Sequence, residues 1–238
     1  RIYKIMYHPS IPNLVFAGTS EGIFRSENNF ESYSLSQTGS SWEFSQDYDY
    51  IEFHPTDPNI IYASTFNQDS RIYVSYDKGV TFSQSGPLQT GIINGGNNSN
   101  IQLAVSSACE NCVFVGTSDG IWKSENIGEN FIFISDPEID NYGAFTVSDT
   151  DVNYMIFGDI DTHRSTDGGQ TWNQVTYWST GDANYNTTGQ YVHADIRGAK
   201  SYNGIFWVNT DGLLAKSADN GVTWEIFEGQ SIRENYCL

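Results

Sequence analysis

Four carboxylates, Asp47, Asp49, Asp182 and Asp195, sit in polar stretches beside aromatic residues. Trp42 and Tyr48 neighbour the first two, Trp178 and Tyr185 flank Asp182, and His193 lies two residues before Asp195. These residue types support two chemistries. A pair of carboxylates about 5 to 9.5 Å apart hydrolyses a glycosidic bond, one as acid and the other as base or nucleophile. No two acids here single themselves out as such a pair. The other chemistry is recognition, in which rings stack on sugar faces while carboxylates and amides bond hydroxyls. The competing reading makes the same aromatics packing residues, since aromatics dominate cores. The candidate ligand-binding residues are therefore Trp42, Tyr48, Asp49, Trp178, Asp182, Tyr185, His193 and Asp195, and no catalytic residue is assigned.

Other strings have simpler readings. On a strand, His193, Asp195 and Arg197 would share one face and form an ionic row. Gly18-Thr19-Ser20-Glu21-Gly22 and Gly116-Thr117-Ser118-Asp119-Gly120 match the spacing of a nucleophile elbow. That device needs a helix after the turn, and here another strand pattern follows, so hairpin turns are expected. Asp149-Thr150-Asp151-Val152-Asn153 opens like a calcium loop but lacks the glycine and the distal Glu, and reads as a turn. Cys109-Glu110-Asn111-Cys112 is too few ligands for zinc and reads as a turn with either a disulfide or two free thiols. No metal site is assigned, and calcium is the one cofactor an acidic surface of this kind would attract.

What must position these residues is a repeat. Ser165-Thr166-Asp167-Gly168-Gly169-Gln170-Thr171-Trp172 returns as Ser75-Tyr76-Asp77-Lys78-Gly79-Val80-Thr81-Phe82 and as Ser217-Ala218-Asp219-Asn220-Gly221-Val222-Thr223-Trp224. A looser copy runs from Ser124 to Phe131, and Ser26-Glu27-Asn28-Asn29-Phe30 reads as a shortened one. The serines, at 26, 75, 124, 165 and 217, are spaced like the repeats of propellers and solenoids. Each place has a physical role. Asp or Asn in the third place is expected to bond the backbone two residues on. Glycine in the fifth supplies a positive φ. Ser and Thr satisfy backbone groups the turn leaves open, and the aromatic points into the core. Before each octet runs a strand, a Pro/Asp/Asn turn and an apolar strand, as in Phe53-His54-Pro55-Thr56-Asp57-Pro58-Asn59-Ile60-Ile61. For the second repeat, strands are expected near 49–54, 60–66, 71–76 and 80–85.

The octet resembles the Asp box, or bacterial neuraminidase repeat, of β-propeller proteins such as the sortilin-like receptors and xyloglucanase-like hydrolases. The resemblance implies an all-β fold of four-stranded antiparallel blades, with the box between the third and fourth strands. Blades are expected at about 2–46, 47–92, 98–138, 143–180 and 189–229, within one domain. Ser231 to Leu238 resembles the first strand of another blade, either the start of a longer propeller or a ring closure. The Pro/Asn turns and the boxes would share one side, and the variable inter-blade loops the other, where function concentrates.

Composition narrows the function. A formal charge of −18 with only 11 Lys and Arg excludes nucleic-acid binding and repels anionic membranes. No apolar run approaches the ~18 residues of a membrane span. The resulting expectation is a non-catalytic extracellular or cell-surface propeller that binds a glycan or a protein, within a longer chain or assembly. A xyloglucanase-like glycoside hydrolase and a passive part of a surface or secretion assembly are the alternatives.

Overall fold

In the computed structural model, the described residues are 1–38, 47–66, 71–85, 101–117, 119–138, 144–179, 181 and 190–227. They form five four-stranded antiparallel sheets and no helix. The first sheet holds β1 (Ile2–Tyr7), β2 (Val15–Thr19), β3 (Gly22–Ser26) and β4 (Ser34–Thr38). The second holds β5 (Asp47–Phe53), β6 (Ile61–Phe66), β7 (Ile72–Ser75) and β8 (Ser83–Gln84). The third holds β9 (Gln102–Ser106), β10 (Cys109–Thr117), β11 (Gly120–Ser124) and β12 (Ile132–Ser135). The fourth holds β13 (Ala144–Val147), β14 (Met155–Gly158), β15 (Thr162–Ser165) and β16 (Asn173–Gln174). The fifth holds β17 (Ile196–Tyr202), β18 (Ile205–Thr210), β19 (Leu214–Ser217) and β20 (Glu225–Phe227). In every sheet the strands lie side by side in chain order. The second sheet's last strand is shorter than expected, because Val80 to Phe82 still belong to the turn.

The chain divides into two compact units, residues 1–105 with 110–133, and 106–109 with 134–238. In the first, Leu14, Phe16, Ile51, Ile61 and Phe82 fill one core between the first two sheets. Tyr62, Val74, Leu103, Val115 and Phe131 fill another, between the second and third sheets. In the second unit, Ala144, Ile156, Ile196, Val208 and Trp224 pack the fourth and fifth sheets together. The second strands β2 and β14 are buried along their whole length. This is why they read as unbroken apolar runs rather than as alternating ones.

All five serine octets form one turn. The serine Oγ accepts from the fifth residue's N–H, at 2.8 Å in Phe30, Gly79, Gly169 and Gly221 and 2.9 Å in Gly128. The same hydroxyl donates to the third residue's Oδ1. That oxygen accepts the seventh residue's N–H, at 2.8 Å for Thr81 and Thr223 and 2.9 Å for Thr171. The bond therefore spans four residues instead of the expected two. The reason is a pair of left-handed residues at the fourth and fifth places, such as Lys78 (φ 60°) and Gly79 (φ 74°), which carries the seventh N–H back to the carboxylate. The first copy is not shortened. Asn29 and Phe30 hold φ of 56° and 65°, and Ser32 N donates to Asn28 Oδ1 at 2.9 Å, so Ser32 and Tyr33 fill the seventh and eighth places. Phenylalanine simply stands where the other copies have glycine.

Four of the five octets are tied to the segment before the second strand of their own sheet. Asn13, Asn59, Asn111 and Asn153 offer their carbonyls to the fourth-place N–H of Asn29, Lys78, Ile127 and Gly168. Octets also brace neighbouring sheets. Arg25 Nε donates to the Lys78 carbonyl at 2.8 Å, and Arg164 Nε to that of Asn220, both fourth-place residues of the next sheet's turn. Ser85 Oγ donates to the Gly128 carbonyl and Ser135 Oγ to that of Gly169.

Candidate functional site

The second unit gathers the chemistry. Its starting point is the hairpin turn Asp159-Ile160-Asp161 between β14 and β15, where Asp161 N donates to Asp159 Oδ1 at 2.7 Å. The Asp161 carboxylate is used on both oxygens. Oδ1 accepts the Trp178 N–H at 2.7 Å, and Oδ2 accepts Gln174 Nε2 at 3.0 Å. Trp178 is thereby fixed at its main chain while its side chain stays exposed, at 53%. Ile160, also exposed, offers its carbonyl to Asp195 N, and Asp159 offers its own to Ile196 N at 2.7 Å. The segment between the fourth and fifth sheets is thus laid against the turn that presents Trp178, with buried Val192 as its anchor.

Asp195 does not lie on a strand. It holds φ of 62°, and β17 starts only at Ile196, so His193, Asp195 and Arg197 are not an alternating row. Arg197 still reaches Asp195, at 3.2 Å, but its main partner is Asp211, bonded at 2.7 Å to Oδ1 and 3.2 Å to Oδ2. This fork geometry is the strong form of a charge-assisted bond. It holds the Asp211 carboxyl below the usual carboxylate range, through the Arg197 hydrogen bond first and the guanidinium charge as well, against the opposing effect of burial. The His193 ring lies on Gly212, where a Cβ would come within 2.7 Å of Cδ2. That glycine is required by close approach, not by φ.

Below Asp159 lies His163, mostly buried, with Nδ1 at 3.7 Å from Asp159 Oδ1. Burial pushes its pKa down, and the nearby Asp159 charge and a bond to the Asp161 backbone only partly oppose that.

Of the sequence candidates, Trp178, His193 and Asp195 are thus connected through Asp161, Ile160, Arg197 and Asp211. Trp42, Asp182 and Tyr185 lie outside the described residues, as do the side chains of Tyr48 and Asp49, whose backbone belongs to β5. Asp211 and Asp161 are the residues sequence reasoning missed. Their signal was repetition: both stand in second-to-third strand turns, where Glu21 and Asp119 also stand. Those turns carry the elbow-like motifs, and they are hairpins in which Thr19 and Thr117 donate to the Gly22 and Gly120 carbonyls.

Cys109 and Cys112 are disulfide-bonded. In the calcium-like string, Asp151 Oδ1 accepts the Asn153 N–H at 3.0 Å, and Asp149 Oδ1 accepts Ser201 Oγ and the Gly204 N–H. The equivalent Asp57 bonds Asn59 in the same way. Among the described residues no group of three or more His, Cys, Asp or Glu is placed to hold a metal ion.

No family model matches the chain, and no curated protein matches it. Solved structures do. The GH74 xyloglucanase from Xanthomonas campestris aligns over 95% of this chain and 37% of its own, with a TM-score of 0.66 and 17% identity. Sqt1 of Saccharomyces cerevisiae aligns over 94% of this chain and 61% of its own, with a TM-score of 0.63 and 16% identity. YCF48 bound to D1 peptide aligns over 95% and 66%, with a TM-score of 0.60 and 13% identity. The chain therefore spans little more than a third of the xyloglucanase it matches. All three are β-propeller proteins, and the fold of this chain is a β-propeller fold of four-stranded antiparallel sheets. Hydrolases and non-catalytic propellers both appear among these neighbours, so the fold does not choose between them.

Proposed function

We propose that this chain belongs to an Asp-box β-propeller of the sortilin-like or xyloglucanase-like kind, acting as a non-catalytic recognition module outside the cell or at its surface. It binds a protein segment or a glycan on the inter-blade loop side, within a longer chain or assembly. The observation that carries this reading is Trp178, an exposed indole whose main chain is clamped by Asp161. An exposed ring carried on a held main chain is a binding platform whose backbone needs no further ordering. The neighbouring carboxylates favour the same reading. Asp161 accepts donors on both oxygens, and Asp211 is held ionised by Arg197. General-acid work needs a carboxyl whose pKa is raised, the reverse of what Arg197 does to Asp211. The peptide on YCF48 supports a protein partner for this chain.

The proposed contact residues are Trp178, His193 and Asp195, with Trp42, Tyr48, Asp49, Asp182 and Tyr185 as further candidates from sequence. The test is binding to a glycan array and a peptide library, alongside hydrolysis of a β-glucan panel. Binding without turnover, weakened at least about tenfold by Trp178→Ala, is expected for a ring that contributes at the level of an interface anchor. Turnover abolished by Asp195→Ala would replace this reading with the hydrolase.

A further inference from the structure

The fourth strands of the sheets differ in one respect. β4 reads Ser-Leu-Ser-Gln-Thr, β8 Ser-Gln, β16 Asn-Gln and β20 Glu-Ile-Phe. β12 reads Ile-Phe-Ile-Ser, and its two leading side chains, Ile132 and Phe133, are 59% and 56% exposed. They are consecutive, so they project from opposite faces of the strand. Among the described residues, no strand pairs with the outer edge of β12. Natural edge strands are protected by charges, proline or bulges, because unpaired backbone groups recruit further strands. β12 carries no charge and no proline from Phe131 to Ser135, although the chain as a whole is strongly acidic.

We infer that the outer edge of β12 is a self-association surface, on which two copies of this chain pair their β12 strands antiparallel about a two-fold axis. Self-complementarity points to a second copy as the occupant. With Phe133 opposite the second copy's Phe133, Ile132 meets the second copy's Ile134, and directly opposed residues fall on one face as the pleat requires. Phe131 to Ser135 carry no charge, so no like charges oppose one another in the paired strands. A two-fold contact of this kind closes at the dimer and does not propagate. A four-residue strand makes a small contact, in the class below ~1,200 Å² that gives weak, reversible association. The acidic chains repel at long range, and salt screens that repulsion. Association therefore strengthens as salt rises, the opposite of binding through ion pairs.

Sedimentation equilibrium of the full chain, from about 10 μM to about 1 mM, covers the range of a weak contact. The expected result is a monomer–dimer equilibrium that tightens when sodium chloride is raised from about 50 mM to about 500 mM. Ile132→Lys, at a position exposed enough to leave folding intact, weakens dimerisation at least about tenfold by placing like charges in the paired edge. Ile132→Val preserves it, as does Leu35→Lys on β4. A monomer throughout, dimerisation unchanged by Ile132→Lys, or dissociation on adding salt would each overturn the inference. Thermal melts of all three variants separate loss of pairing from loss of fold.

Discussion

Arg25 donates through Nε to the carbonyl of Lys78 at 2.8 Å, and its guanidinium is also held by Glu27 at 2.7 Å. Arg164 repeats the first bond to Asn220, one turn of one sheet reaching the left-handed residue of the next. The arginine is the residue before the octet serine in both cases. It is a fastener between consecutive sheets and does not belong to a substrate clamp. Arg25→Leu should cost about 1.5 to 3 kcal/mol, the range for a hydrogen bond with one charged partner. Urea denaturation checks this, with Glu27→Gln as the control. Glu27 is solvent-exposed, so its loss should leave the midpoint nearly unchanged.

The fifth octet place tests why glycine is there. Gly79 has φ of 74°, and a Cβ would lie 2.3 Å from Phe16 Cε1 and 2.7 Å from Cζ. Gly79→Ala combines left-handed strain with overpacking and should cost about 2 to 4 kcal/mol. Phe30 holds a left-handed φ of 65° with a full side chain. Phe30→Ala should therefore change stability by less than about 1 kcal/mol, losing only a half-buried contact with Tyr33. A Gly79→Ala cost no larger than the ~1 to 2 kcal/mol of left-handed strain alone would mean that conformation, not the neighbouring sheet, selects glycine.

Acid should loosen three of the five turns. Burial acts to raise the pKa of Asp77, Asp167 and Asp219, but donors outweigh it: the Thr N–H and hydroxyl of Thr81, Thr171 and Thr223, with the octet serines. All three are held below the ordinary carboxylate range. A depressed carboxyl contributes stability above its unfolded pKa of about 4 and loses it as pH falls through the folded value. Asn28 and Asn126 fill the same place without titrating, and Asn28 Nδ2 donates to Ser32 Oγ, the reverse of the aspartate–threonine bond. The melting temperature should fall from pH 5 to pH 2.5, and combined Asp→Asn changes at 77, 167 and 219 should flatten that fall.

His163 acts in a higher window. Burial, the largest influence, depresses its pKa, so the folded chain favours the neutral ring. Its contribution is intact above the unfolded value of about 6.5 and is lost as pH falls below that. Melting should drop between pH 7.5 and 5.5. His163→Leu should reduce the drop while leaving the acid transition of the octets in place. An unchanged drop would assign it to His8, whose pKa burial also lowers.

The octets made the fold legible, because their bonds are local and recur at matching places. Where the reading failed, the missing information was conformational or long-range. Phe30 hid a full-length turn, since sequence alone does not reveal that a phenylalanine tolerates φ of 65°. His193, Asp195 and Arg197 would share a face on a strand, but residues 190–195 are not strand and Asp195 has a left-handed backbone. Asp211 meets Arg197 from the adjacent strand's turn, a partnership set by strand pairing and invisible along the chain. Trp178 was legible as a candidate by its polar surroundings, but not its clamp, which comes from a hairpin seventeen residues earlier.

Self-closure of each octet has an evolutionary corollary. Its serine, acid or amide and left-handed pair satisfy one another, so drift in one copy leaves the template of the other four undisturbed. The copy at Ser26 holds Asn28, Phe30, Ser32 and Tyr33 where the copy at Ser165 holds Asp167, Gly169, Thr171 and Trp172, yet it keeps the same trace. One bonding pattern is thus met by several residue sets, so the copies share a backbone without sharing a sequence.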